Sequence, residues 1–175
     1  MKGVKFFKPI LFFLLVSAVI ATGCSNDDES GSGDGGGEMT ASISGSGSFK
    51  SHAISSNAVK TANSTGTSLF IQGTNSDGVG ITMTIMNYTG EGTYQFGPVT
   101  SNFNTASYTE TNISNPMDTQ VWAASYDTSS SGSITILNES ESGVKGTFNF
   151  KGKNSNDDSI KVISNGNFDL KFKSN

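Results

Sequence analysis

The residues of this 175-residue chain that could do chemistry are few: one cysteine, Cys24; one histidine, His52; an oxygen-rich run at Asn154, Asn156, Asp157 and Asp158; and the aromatic residues Trp122 and Tyr126. Cys24 has the clearest context. Residues 10–20 form a hydrophobic run, preceded by Lys2, Lys5 and Lys8 and followed by Ala21, Thr22 and Gly23. This is the build of a lipoprotein signal peptide: lysines hold one end in the cytoplasm, and small residues leave the peptide bond before the cysteine open to a peptidase. Ala21 stands where leucine is commoner. A membrane-spanning helix needs about 20 apolar residues, more than this run supplies. A free thiol would be a liability in an oxidising compartment. Lipid on Cys24 is therefore the expected anchor, because each buried methylene contributes about 0.8 kcal/mol and two or three acyl chains together hold essentially irreversibly.

The remaining candidates mainly exclude chemistry. A lone histidine and a lone cysteine remove most triads and zinc sites. A Ser-His-Asp arrangement around His52 is formally open, but the sequence has no G-x-S-x-G elbow, and His52 reads as a surface or strand-edge residue. A glycosidase needs two carboxylates across a cleft, whereas most acids here lie in turns or near the N-terminus. Residues 154–158 offer several oxygens, as calcium requires, but without EF-hand spacing, and a solvated turn uses the same residue types. No enzymatic activity, metal or cofactor is expected. Trp122 and Tyr126 share a strand face if residues 119–126 are regular. Their rings could then stack on a sugar or line the mouth of a barrel, and they are the candidate ligand-binding residues.

Charge narrows the partners. The chain carries 11 cations, all lysine, against 15 acids; removing residues 1–23 takes three lysines and no acids, leaving 8 against 15. Without arginine or a basic patch, nucleic acid is excluded as an expected partner. Residues 24–38 join Cys24 to Gly, Ser and acids with no apolar side chain after the cysteine, the composition of a self-repelling tether.

Residues 39–175 have the length of one domain, with no second linker to divide them. Ile81, Met83 and Ile85 alternate with Thr82 and Thr84; Ile134 and Ile136 alternate with Ser133 and Thr135; Phe168, Leu170 and Phe172 alternate with Asp169, Lys171 and Lys173. Period-2 patterns of this kind predict half-buried strands. Gly146 falls on the apolar face of another such run, where a missing side chain marks a bulge or the close packing of an aromatic. Turn residues at 75–78, 89–92, 129–132, 139–143, 154–158 and Asn165-Gly166 separate the runs. The expected fold is all-β: an antiparallel meander of eight to ten strands, closed as a barrel or folded as a sandwich. Residues 98–116 are expected to form a long loop.

GEGTYQF (90–96), Tyr126, SGSITI (131–136), VKGTFNF (144–150) and ISNGNF (163–168), in that order behind the lipobox, resemble an uncharacterised family of Bacteroidetes lipoproteins. That resemblance implies a β-barrel, lipocalin-like domain without assigned activity, so no functional residue carries over. The acids Asp27, Asp28 and Glu29 resemble the signal that sends such lipoproteins to the cell surface, and Asp158-Ser159-Ile160 resembles an O-glycosylation site of the same phylum. The resulting expectation is an outer-membrane, surface-exposed lipoprotein acting as a structural or interaction module with a packed core. Its alternative is a binding module holding a small apolar or carbohydrate ligand in or on the barrel.

Overall fold

The computed structural model describes residues 36–97, 103–124 and 131–173. They contain eleven strands: β1 (Gly37–Ile43), β2 (Gly47–Lys50), β3 (Asn57–Asn63), β4 (Gly66–Thr74), β5 (Val79–Ile85), β6 (Gly92–Phe96), β7 (Thr105–Glu110), β8 (Gln120–Ala123), β9 (Gly132–Glu139), β10 (Gly143–Asn154) and β11 (Ile160–Lys171). Single 3-10 turns occur at Ala53–Ser55 and Pro116–Asp118, and there is no α-helix among the described residues. The composition explains this, because β-branched and aromatic residues suit a pleated, half-buried surface and the runs of strong helix formers are missing.

All strands belong to one antiparallel sheet in the order β2-β1-β11-β10-β8-β7-β5-β4-β3, curled into a half-barrel. Curling brings β3 to the far end of β11, where Ala58 bridges Phe172 and the Lys173 N–H donates to Ala58 O at 2.9 Å. The sheet is not a simple meander. β10 shares one edge between two neighbours, pairing with β9 from Val144 to Phe150 and with β8 at Lys153 and Asn154. β9 in turn carries β6, so these two strands form an arm beside the main run.

The alternation read from the sequence sets the inner face. Ile81, Met83, Ile85, Ile134, Phe148, Phe150 and Phe168 are all buried in one continuous apolar cluster with Met39, Leu69, Ile71 and Ile163. Each large side chain moved fully out of water contributes on the order of 1.5–3 kcal/mol, so this filled interior dominates the stability. β1 begins at Gly37, inside the glycine run read as tether. A β-carbon at Gly37 would lie 2.2 Å from Asp169 O, so this glycine lets the chain enter the sheet against β11.

Two expectations are corrected. Residues 98–116 are not one long loop: β7 lies within them and turns Ala106 and Tyr108 into the core, its alternation hidden among Ser and Thr. Asn165-Gly166 is not a turn. β11 runs through it, and the register steps from Phe148↔Gly166 to Phe150↔Ile163 on one side and from Thr40↔Asn167 to Ser42↔Ser164 on the other. Asn165, at φ 51°, is therefore the extra residue of a β-bulge; Asn is among the residues that tolerate this left-handed conformation. Gly146 meets both of its expectations, with a register shift beside it and the Phe168 ring over it.

Candidate functional site

Charges on the inner face of a strand must find partners, because an unpaired buried charge is costly. Lys161 follows the first residue of β11 with its side chain turned inward, and its ammonium lies 4.4 Å from the Trp122 ring centroid and 5.2 Å from that of Tyr108. The two rings are 5.7 Å apart, so the cation caps an aromatic pair. Lys161 also pairs with Glu110 at the end of β7 and donates to Ser46 Oγ at 2.7 Å in the β1–β2 turn. Tyr108 Oη donates to Glu110 Oε1 at 2.7 Å, and Ser46 Oγ donates to the same oxygen at 3.2 Å. One carboxylate thus ties β7, β11 and the β1–β2 turn together.

A second tie of the same composition sits at the other end of the β10–β11 hairpin. Glu139 at the end of β9 accepts from Tyr88 Oη through one oxygen and from Lys60 of β3 through the other. The Lys60 ammonium is 5.6 Å from the Phe172 ring centroid, and Tyr88 packs on Tyr94 with centroids 5.6 Å apart. This tie fastens β3 to β9 close to where Ala58 meets Phe172.

In both ties burial opposes ionisation of the glutamate. The lysine and tyrosine donors and the lysine charge outweigh it, holding Glu110 and Glu139 below the usual carboxylate range. Burial, followed by hydrogen bonding and charge repulsion from the same glutamates, pushes the phenols of Tyr88 and Tyr108 well above their ordinary value. A lowered folded-state pKa contributes stability that is present above the unfolded value, about 4.3, and lost as pH falls through the folded value; a raised phenol loses its contribution as pH rises beyond about 10. The melting temperature is therefore expected to be level between these limits and to fall on both flanks. Glu139→Gln should flatten the acid limb in a pH series of melts, and an unchanged acid limb would refute the assignment.

Trp122 is buried in the first tie, with its indole N–H donating to Ser159 Oγ at 2.9 Å, while Val121 takes the outward position on β8. Tyr126 and Cys24 lie outside the described residues. His52 is exposed, and its backbone N–H donates to Thr74 O at 2.8 Å. It lines a shallow groove of about 500 Å³ with Glu38, Lys50, Asp169 and Lys171. In the 154–158 turn, Asn154 Oδ1 accepts the Asn156 N–H at 2.8 Å and Asn154 Nδ2 donates to Gln120 at 2.8 Å. Asp157 accepts the Ser159 N–H at 2.9 Å, and donors from Ser159 hold its carboxyl below the usual range; Asp158 pairs with Lys153 at 2.6 Å. These oxygens hold the turn together. Among the described residues no group of three or more His, Cys, Asp or Glu is placed to hold a metal.

Sequence reasoning missed both ties. The available signal was parity: Lys60 shares the inward parity of Ala58, and Lys161 that of Ile163.

No curated protein and no solved structure matches the chain. The model of a family described as a domain of unknown function, DUF6252, matches residues 39–169, three-quarters of the chain and nearly all of the described sheet, and the chain belongs to that family.

Proposed function

We propose that the protein is a lipoprotein of the Bacteroidetes type, exported, acylated on Cys24 and held at the outer membrane, where it displays its β domain at the cell surface as a structural or interaction module rather than as an enzyme. The N-terminal pattern carries this reading: three lysines, an apolar run too short to span a bilayer, small residues and then the lone cysteine. The acidic, glycine-rich residues 25–38 supply the spacer between lipid and domain. The filled inner face supports an interaction module over a lumenal ligand carrier, because Phe148, Phe150, Phe168, Ile134 and Met83 occupy the space a ligand would need.

Metabolic labelling with radioactive palmitate tests the anchor. The parent should be labelled and sediment with membranes, whereas Cys24→Ala should carry no label and remain soluble. Equal labelling of the two forms would end the proposal. Protease treatment of intact cells then separates the leaflets, with degradation of the parent expected only if the domain faces outward.

A further inference from the structure

We infer that the outer face of β3, β4, β5, β7 and β8 is a docking surface for a neutral polysaccharide. The inference rests on the interaction-module reading and names the class of partner.

The register builds the face row by row. Asn57, Gln72, Thr82 and Ser107 stand side by side on β3, β4, β5 and β7, and Val59, Phe70, Thr84 and Thr105 form the next row. Thr82 Oγ1 and Ser107 Oγ lie 2.7 Å apart, so these two neighbouring hydroxyls hydrogen-bond across β5 and β7. All of these residues are at least partly exposed. None is charged, nor is any other outward residue of these five strands.

The other half of the same sheet differs. The outward residues of β1, β2, β10 and β11 include Glu38, Lys50, Lys145, Lys151, Asp169 and Lys171, with Lys50–Glu38 at 2.6 Å and Lys145–Asp169 at 2.8 Å. Mixed charges of that kind are what an ordinary solvated surface carries. Their segregation to one half leaves the other offering hydroxyls, amides, one phenyl ring and the small apolar side chains of Val59, Val121 and Ala123.

Those groups select the partner. An anionic lipid or a polyanion is bound by lysine and arginine, which this face lacks. Protein interfaces are enriched in Tyr, Trp, Phe, Met and Arg, of which the outward residues of these strands include only Phe70. A small molecule takes a concave pocket, whereas a sheet face is extended. A neutral polymer of sugars matches all three features. Its hydroxyls exchange hydrogen bonds with Thr, Ser, Asn and Gln, its apolar C–H faces can lie on Phe70, and its length suits a surface several strands wide.

Native gels containing soluble starch, dextran, xyloglucan or galactomannan, with heparin as the polyanion, test this on the intact purified protein. The outcome is read without reference to acylation, so failure here leaves the anchor standing and failure of the anchor leaves this result standing. At least one neutral polysaccharide should retard the parent, and raising NaCl from about 0.05 to 0.5 M should change little, since no charge is involved. Thr84→Lys should weaken retardation about tenfold at unchanged melting temperature. Phe70→Ala provides a second variant if Thr84→Lys melts early, and Lys151→Ala on the charged half should bind as the parent does. Retardation by heparin alone, by none of the gels, or equally in parent and both face variants would overturn the inference. So would a parent dimer in sedimentation that Thr84→Lys splits, because the face would then bind a second copy.

Discussion

Gly146→Ala is expected to cost about 3 kcal/mol or more, at the upper end of overpacking changes. A β-carbon at this position would lie 2.2 Å from Thr135 O and 2.5 Å from Phe168 Cζ. The ring could rotate at modest cost. The oxygen could not, because it belongs to the β9–β10 ladder, where Gly146 sits beside a register shift. Phe168 stands directly across from Gly146, and Phe148 directly across from Gly166, so each aromatic covers the bare backbone of the opposite glycine. Urea unfolding of parent and variant measures the loss through the midpoint at constant slope. Adding Phe168→Leu should recover only part of the stability, since the backbone clash remains. A loss below about 1 kcal/mol for the single variant would mean that the β9–β10 register shifts freely, contrary to the packing described.

Phe150→Ala is expected to destabilise by about 4 kcal/mol, because it removes a buried ring and leaves a void that the barrel wall cannot collapse to fill. Phe150 is 2% exposed, meets Phe96 edge-on at 6.1 Å and stacks on Phe148 at 6.5 Å. Through Phe96 it adds a side-chain contact to the β9–β10 ladder that holds the β6–β9 arm on the long hairpin. Phe103, 80% exposed, provides the control: its replacement by alanine should fall within about 0.5 kcal/mol of the parent. A void of this kind stays dry and takes up small apolar molecules, so benzene should raise the melting temperature of Phe150→Ala and leave the parent unchanged. Equal stabilisation of both proteins would show that the parent already encloses a cavity, and the solid-core reading would fail.

Sheet and core were legible wherever one face was written in strong contrast. Ile81-Thr82-Met83-Thr84-Ile85 alternates so sharply that period alone fixes strand and inner face. β7 escaped because Thr105-Ala106-Ser107-Tyr108 marks its inner face with one small residue and one amphipathic ring, a weak signal. Asn165-Gly166 misled because the dipeptide that serves a hairpin turn also serves a bulge, and only the partner strands on both sides decide between them. The Glu110 and Glu139 ties were hidden for another reason: each joins residues far apart in the chain, and single-strand periodicity carries no information about them. The same long-range packing turned Trp122 inward, which the period of β8 alone left open between its two faces.

β1 has, besides its hairpin mate, a single lateral neighbour, and that neighbour is β11, the last of the described strands. The earliest segment of the domain to leave a ribosome thus waits for the latest before its hydrogen bonds are complete. Such head-to-tail closure gives a high contact order, with loop entropy lost before the contacts that reward it are made. A nascent chain of this topology cannot finish its sheet until β11 has been synthesised, and any truncation that removes β11 leaves one edge of β1 and one edge of β10 unpaired together.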